Sequence, residues 1–158
     1  MYMQPKIRIN GAGPTGSIVA IKLAKQGFGV TLCDISSKVE IINRTRAYAI
    51  THSSRRLLQS IGLWNELEKD LTPFEWLIIE DREINNYTNL GIDDLTKENK
   101  ETGAIGWTIE HKNLMNILFN KIDSITEINT IFSIYKGYDN GIYDFVIAAD
   151  GGKSLTRN

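Results

Sequence analysis

The sequence has few features that would place the protein in an oxidising compartment or in a membrane. Its 158 residues include one cysteine, Cys33, so a disulfide within the chain is excluded. A single cysteine suits a reducing compartment. The segment before the first predicted strand has no signal-peptide hydrophobic region, and no run of 18 apolar residues is present. We therefore expect a cytoplasmic protein without a membrane-spanning helix.

The sequence also lacks an excess of charge of either sign. Lysine and arginine number 18, aspartate and glutamate number 19, and the net charge is -1. No global field would therefore draw the protein to nucleic acid, and we expect no nucleic-acid partner. We also predict no metal site. The composition, 42% hydrophobic and 23% charged, is typical of a globular protein, and the length suffices for one domain with a core.

The first third of the chain has the pattern of a nucleotide-binding unit. An apolar strand at 6–9 leads through a glycine-rich turn into a helix over about 14–26, and a second strand spans 28–34. Residues 35–50 are predicted as a polar connection. A helix capped by Thr51 or Ser53 follows and runs to about Ser60.

The middle of the chain does not continue a regular strand–helix alternation. Strands are predicted at 74–82 and 103–109, with the solvated charge run 93–101 between them, and a helix is predicted at 111–122. Asn140 and Gly141 then lie between two apolar runs, which predicts a hairpin. The last run, 142–150, is apolar enough to be expected inside a sheet.

Gly11, Gly13 and Gly16 form a G-x-G-x-x-G motif between the first strand and the first helix. In such a motif the glycines permit a tight turn, a close approach of the backbone to a pyrophosphate and close packing of the helix. Amide groups at the helix start and the helix dipole attract phosphate, and Pro14 suits the first helical turn. A glycine-rich turn without a ligand is the simpler interpretation of the motif alone.

Asp34 strengthens the dinucleotide interpretation. It ends the second strand, 23 residues after Gly11, where an acid accepts hydrogen bonds from an adenosine ribose. Its alternative role is that of an ordinary loop acid or helix cap. An acid at this position suits NAD and FAD alike, so the motif leaves the choice of dinucleotide open.

Three stretches resemble flavin-dependent aromatic hydroxylases, and most of all their ubiquinone-biosynthesis group. They are RAYAITHSSRRLLQSIGLW (46–64), GWTIEHKNLMNILFNKI (106–122) and FVIAADGGKSLTRN (145–158), the last carrying an A-D-G-x-x-S-x-x-R motif. The resemblance implies a Rossmann-like FAD-binding parallel sheet of the glutathione-reductase type with helices, plus part of an antiparallel substrate-domain sheet. It implies a dinucleotide-binding part at 1–72 and 110–158, and substrate-domain strands at 73–109.

The resemblance also implies roles for individual residues toward FAD. The glycine loop would hold the pyrophosphate, Asp34 the adenosine ribose, and Arg46 the region beside the pyrophosphate, with Arg44 assisting or simply solvated. At position 111 many relatives have an arginine that touches the flavin, and here His111 either takes that place or simply begins its helix. The predicted cofactor-binding residues are Gly11, Ala12, Gly13, Pro14, Thr15, Gly16, Asp34, Arg44, Arg46, His111, Asp150 and Gly151.

The activity implied by the resemblance is hydroxylation of a small phenolic substrate, with FAD as the cofactor and NAD(P)H as the reductant. No catalytic residue can be assigned. Phe74, Trp76 and Trp107 are either pocket-lining residues or core aromatics. In whole relatives the Asp-Gly loop is followed by a substrate-domain sheet and a second flavin motif. The chain is therefore expected to be a truncated product, a fragment or half of a split protein, not competent alone.

Further alternatives remain open at this point. One is an NAD-dependent dehydrogenase, and the other is a non-catalytic nucleotide-binding remnant. For a whole enzyme, the resemblance leaves open a peripheral association with the inner membrane, a homo-oligomer and a complementing chain.

Overall fold

The computed structural model describes residues 5–133, 142–152, 154 and 156. The chain divides into two compact units, Met1–Thr45 with His111–Asn158 and, second, Arg46–Glu110. The described residues form, in chain order, β1 (Lys6–Asn10), α1 (Pro14–Ala24), β2 (Gly29–Asp34), α2 (Lys38–Ile42), β3 (Ala47–Ile50), α3 (His52–Ser60), α4 (Trp64–Leu67), β4 (Thr72–Phe74), β5 (Trp76–Asp81), β6 (Asn86–Gly91), α5 (Lys97–Lys100), β7 (Gly106–Glu110), α6 (His111–Asp123), β8 (Ile128–Phe132) and β9 (Phe145–Ala148). Short 3-10 helices follow α4 and β6.

The first unit is built on a parallel sheet with the strand order β8-β2-β1-β9. β1 is hydrogen-bonded to β2 on one side and to β9 on the other, and both pairs are parallel. Helices α1 and α6 pack together, and α1 also packs on β2. Ile9, Ile21, Leu32 and Leu118 are completely buried in this unit. The sheet brings the carboxyl ends of β1, β2 and β9 to the same edge.

The connection after β2 contains structure that the sequence analysis did not predict. α2 begins after Ser37, whose hydroxyl accepts a hydrogen bond from the Glu40 amide while the Glu40 carboxylate accepts one from the Ser37 amide. This reciprocal capping box stabilises the first turn. Hydrogen bonds from the Ser37 backbone and side chain lower the pKa of Glu40. The Ser-x-x-Glu spacing at 37–40 was the available signal, and the apolar residues of α2 were too few for a helical period.

The predicted hairpin between the last two apolar runs is wrong for the two strands that these runs form. β8 pairs with β2 and β9 pairs with β1, both in parallel, so β8 and β9 lie at opposite edges of the sheet. Asn140 and Gly141 themselves lie outside the described residues. The expectation of an interior position for the last strand is also wrong for the described sheet, where β9 is an edge strand with Phe145 and Val146 exposed.

The second unit contains an antiparallel sheet, β3-β7-β4, and a two-stranded antiparallel ribbon of β5 and β6. β6 was not predicted, because the polar sequence NYTNLG lacks a clear alternation. α3 begins after Thr51, as predicted, and the Thr51 hydroxyl accepts a hydrogen bond from the Ser54 amide. This compact unit begins at Arg46, and within it β3 pairs with β7 over four residue positions. Assignment of 73–109 to a substrate domain stays a prediction.

Candidate functional site

The three motif glycines in the turn between β1 and α1 have different surroundings, so each position favours glycine for a different reason. Gly11 has φ +105°, and a Cβ atom there would overlap the carbonyl group of Ala149 after β9. A Cβ atom at Gly16 would overlap the carbonyl oxygen of Gly11. Gly13 has an ordinary φ of -69°, and the described structure leaves open space for 4 Å around the position of its absent Cβ. Gly11 and Gly16 are therefore required by packing, whereas Gly13 leaves room for a ligand.

The same turn presents the N-terminus of α1 to that open space. Gly13 is the N-cap residue, Pro14 occupies the first helical turn, and no acidic side chain lies in that turn. The first amide groups of a helix have no partner within the helix, and the helix dipole adds partial positive charge there. The arrangement favours an anionic ligand group beside Gly13 and Thr15.

A cavity of about 440 Å³ opens at this end of the first unit. It is lined by Thr15 from the start of α1 and by residues at the end of β9 and just after it, namely Ala148, Ala149, Asp150, Gly151 and Ser154. Thr15 and the predicted Asp-Gly pair thus line one cavity, although they lie at opposite ends of the sequence. The parallel pairing of β1 with β9 produces this proximity.

The Asp150 carboxylate is held in place by its own loop. Its Oδ2 atom accepts hydrogen bonds from the Thr156 amide at 3.1 Å and from the Thr156 hydroxyl at 2.9 Å. Burial alone would raise the pKa of Asp150, but hydrogen bonds from Ser154 and Thr156 lower this pKa to about 2. Asp150 is therefore an anion at neutral pH. The next residue, Gly151, has φ +81°, a backbone conformation that glycine adopts readily. The motif residue Arg157 lies outside the described residues.

Asp34 lies beside the glycine loop, as the sequence predicted, and it contacts that loop directly. Its Oδ2 atom accepts a hydrogen bond from the Ala12 amide at 2.8 Å, and its Oδ1 atom accepts one from the Ser36 amide at 2.9 Å. The side chain is only 9% exposed. A carboxylate has about four acceptor positions, so a ribose hydroxyl can still be accommodated. Asp34 thus also joins two loops, a function that the sequence analysis missed.

The Arg44 side chain contacts the end of β2 and the loop that follows it. Its Nη2 atom donates a hydrogen bond to the Ser36 hydroxyl at 3.1 Å and lies 3.9 Å from Asp34 Oδ1. The arginine therefore lies at the predicted ribose end of the site. Arg46 belongs to the second unit, directly before β3. Its predicted contact with a phosphate stays a prediction.

His111 begins α6, as one of the two interpretations expected. Its ring is buried, and its Nε2 atom lies 2.6 Å from the backbone oxygen of Ile41 in α2. Because a carbonyl oxygen only accepts, Nε2 must carry a proton and donate it. The ring thus connects α6 to α2, and a contact of His111 with a flavin stays a prediction.

The three candidate pocket aromatics occupy different environments within the second unit. Trp107 is 8% exposed and makes edge contacts with His52 at 5.1 Å and with Trp64 at 5.0 Å. This environment is that of a core residue. Trp76 on β5 is 66% exposed, and the Phe74 ring lies against Gly106. Of these three aromatic residues, Trp76 alone is exposed, whereas Phe74 is partly buried and Trp107 is buried.

Two structural absences apply to the described part of the chain. Within it, three or more histidine, cysteine, aspartate or glutamate side chains never come together as a metal site would require. None of its helices combines the length and the apolar character needed to cross a membrane.

Comparison with known proteins identifies the family of this fold. The family model described as FAD binding domain matches residues 5–102, more than half of the chain. Among curated relatives, ubiquinone hydroxylase UbiM of Neisseria meningitidis is 26% identical over 168 residues, which cover 99% of this chain and 35% of UbiM. The chain spans about a third of the length of the curated relatives it matches.

Solved structures of monooxygenases share the fold. Pseudomonas aeruginosa PqsL in complex with 2-aminobenzoylacetate superposes with a TM-score of 0.72 at 16% identity, covering 98% of this chain and 45% of PqsL. The p-nitrophenol 4-monooxygenase PnpA of Pseudomonas putida superposes with a TM-score of 0.71 at 16% identity, covering 100% of this chain and 44% of PnpA. These findings confirm the expected fold class, the resemblance to flavin-dependent monooxygenases and FAD as the cofactor of the family. The chain belongs to the FAD binding domain family.

Proposed function

We propose that this chain binds the ADP part of FAD and forms the FAD-binding portion of an NAD(P)H-dependent aromatic hydroxylase. The cavity between the start of α1 and the Asp150–Gly151 loop is the observation that supports this function most directly. The cavity is lined by Thr15 in the first turn of α1 and by the Asp150 carboxylate. The same structural unit also contains the open position at Gly13 and the Asp34 carboxylate beside Ala12. These are the features that a diphosphate joined to a ribose requires.

Each part of the ADP group has a matching part of the first unit. The pyrophosphate would lie against Gly13 and the amides at the start of α1, because these positions combine open space with hydrogen-bond donors. Asp34 would accept the adenosine ribose hydroxyls beside Ala12. Asp150 and Gly151 would contact the cofactor from the opposite side of the cavity. Bound FAD supplies the redox and oxygen-transfer chemistry, which side chains alone do not provide.

Named relatives support an aromatic ring as the substrate. One solved neighbour was crystallised with 2-aminobenzoylacetate, another is a p-nitrophenol monooxygenase, and a sequence relative is a ubiquinone hydroxylase. We extend this substrate class to the protein as a small phenolic compound. A function in ubiquinone biosynthesis, with peripheral association at the inner membrane, is the more specific form of the proposal. It rests on the UbiM similarity alone.

A second candidate function is nucleotide binding without hydroxylation by this chain. It is favoured by the site itself, because the residues assigned in the first unit match the ADP part of FAD and no residue is assigned to the reacting ring. Under this candidate, the 158-residue chain binds FAD weakly and oxidises NAD(P)H slowly without forming a hydroxylated product. A complementing chain or a homo-oligomer would then be needed for activity.

Calorimetric titration of the purified chain with FAD, ADP and NAD tests the binding proposal. We expect FAD and ADP to bind and NAD to bind more weakly, whereas a dehydrogenase would favour NAD. Arg46→Ala should weaken ADP binding by about 1 to 3 kcal/mol, the range for a hydrogen bond to a charged group. Arg56→Ala is the matched control, since Arg56 is an exposed arginine on α3. Equal affinities for the two variants would count against a role for Arg46.

Product analysis separates the two candidate functions. The chain is incubated with FAD, NADH or NADPH and a panel of phenols, and products are identified by mass spectrometry. Hydroxylated phenol in stoichiometric yield would support hydroxylation by this chain. NAD(P)H consumption without hydroxylated phenol would support the binding-only candidate.

A further inference from the structure

The central strand β1 has polar side chains on one face. Ile7 and Ile9 are buried, whereas Arg8 and Asn10 alternate with them and are only partly buried. β1 has a parallel neighbour on each side, and such strands are usually apolar on both faces. An arginine and an asparagine in this strand therefore need a structural or functional reason.

These two side chains begin a continuous series of hydrogen bonds that ends at Asp150. Arg8 Nε donates to Asn10 Oδ1 at 2.8 Å. Asn10 Nδ2 donates to the Thr156 hydroxyl at 3.1 Å. The Thr156 hydroxyl in turn donates to Asp150 Oδ2 at 2.9 Å. The series thus links the end of β1 to the Asp-Gly loop in the same structural unit.

Hydrogen-bond chemistry fixes the direction of this series. A guanidinium group only donates, so the Asn10 oxygen must face Arg8 and the Asn10 amide nitrogen must face Thr156. Because Asn10 donates to the Thr156 oxygen, the single hydroxyl hydrogen of Thr156 is available to Asp150, which as a carboxylate only accepts. The series runs from a cation to an anion, and each bond polarises the next.

We propose that Asn10 is a positioning residue for the cofactor site, and that it acts through Thr156 to hold the Asp150 carboxylate at the cavity. The hydrogen bond from Arg8 fixes the orientation of the Asn10 amide group. The link to the cofactor rests on the proposed function, since it assumes that ADP or FAD occupies the cavity beside Asp150. The hydrogen-bonded connection itself does not depend on that assumption.

Asn10→Val tests this role, because valine suits a strand but cannot donate to Thr156. We expect the Thr156 amide to exchange its hydrogen about three- to tenfold faster, the factor for loss of one neutral hydrogen bond. Exchange of the Val30 amide, which is bonded to Glu127 in the same sheet, should stay unchanged. ADP affinity by calorimetry should fall by a similar factor. Asn129→Val is the matched control, because it makes the same substitution at an exposed position of strand β8 in the same sheet.

If Asn10→Val does not fold, Asn10→Asp provides the same test, because aspartate still accepts from Arg8 but as a carboxylate cannot donate to Thr156. Two loop variants test the series from its other end. Thr156→Val interrupts the series from the loop side, and Thr156→Ser should restore wild-type exchange and affinity because it keeps the hydroxyl group. If Asn10 acts through Thr156, the double variant Asn10→Val/Thr156→Val should bind ADP as Thr156→Val does.

The inference is overturned if Asn10→Val leaves Thr156 exchange and ADP affinity unchanged, or if the two valine substitutions have fully additive effects. An unmodified chain that does not bind ADP would refute the proposed function instead. In that case the exchange measurements would still decide whether Asn10 orders the loop.

Discussion

Replacement of Gly13 by alanine separates ligand binding from folding at the glycine loop. Gly13 has φ -69° and ψ -176°, an extended conformation that alanine adopts readily, and its Cβ would meet no atom within 4 Å. Alanine restricts the unfolded chain, which stabilises by about 0.4 to 1 kcal/mol. Alanine is also a poorer N-cap residue than glycine, which costs a similar amount. We therefore expect the free energy of unfolding to change by less than about 1 kcal/mol.

The same methyl group should strongly weaken nucleotide binding. It would occupy the open space through which a pyrophosphate approaches the amides at the start of α1. Loss of two hydrogen bonds to a charged group, at about 1.5 to 3 kcal/mol each, corresponds to at least about a hundredfold weaker binding. Calorimetric titration with ADP measures the affinity, and urea denaturation of the same preparation measures the stability.

Gly16→Ala provides the contrasting control. Its methyl group would overlap the Gly11 carbonyl oxygen, so the backbone of the loop would have to move. Overpacking costs about 1 to 3 kcal/mol, and because the overlapping atom belongs to the backbone we expect the upper part of this range, above the gain in helix propensity of about 1 kcal/mol. Gly16→Ala should therefore lose stability and binding together. A Gly13→Ala protein that binds ADP as tightly as the unmodified chain would refute the assignment of the pyrophosphate to this loop.

Three further outcomes follow from buried or hydrogen-bonded polar groups. The Asp34 carboxylate accepts hydrogen bonds from the Ala12 and Ser36 amides, and in Asp34→Asn the side-chain amide group would face one of these two donors. The substitution should therefore lower the free energy of unfolding by about 1 to 3 kcal/mol in urea denaturation. An unchanged midpoint would contradict the structural link. The lowered pKa of Asp150, about 2 against an ordinary 3.8, means that its stabilising contribution is complete above about pH 4 and is lost as the pH falls toward 2. Acid unfolding of Asp150→Asn should lack this component, and identical acid transitions would refute it. His111→Ala removes a buried ring that is hydrogen-bonded to the Ile41 carbonyl, so the free energy of unfolding should fall by about 2 to 4 kcal/mol in thermal or urea unfolding. A decrease below about 0.5 kcal/mol, as is usual for a surface residue, would argue against that packing.

Local signals were sufficient for the segment from β1 through α1 to β2. The glycine spacing, the apolar flanks and the acid at the end of the second strand predicted β1, α1 and β2 within a few residues of their bounds. The helix after Thr51 was equally accessible, since its cap is a side chain next to its first residue. In such segments the residues that determine the structure are near neighbours in sequence, so a short window contains the relevant information.

Pairing between distant strands was not accessible in the same way. Asn140 and Gly141 favour a hairpin locally, yet the strands on either side pair with β2 and β1. A strand that pairs in parallel needs a partner far away in the sequence, reached by a crossover connection. A turn dipeptide carries no information about such a distant partner. The alternation of polar and apolar residues in β1 was visible in the sequence. Its meaning depended on Thr156, which lies far along the chain.

Parallel topology also explains why some predicted site residues come together while Arg46 needs a separate test. Asp34 ends β2, and Asp150 follows β9 closely, so sheet register alone brings both to the edge that carries Gly13. Arg46 precedes β3 in the second unit, and the register of that sheet relates it only to β7. Its predicted contact thus derives from the family resemblance, not from the strands that form the cavity. If Gly13→Ala abolishes ADP binding while Arg46→Ala leaves it intact, the first unit contains the ADP site without the arginine.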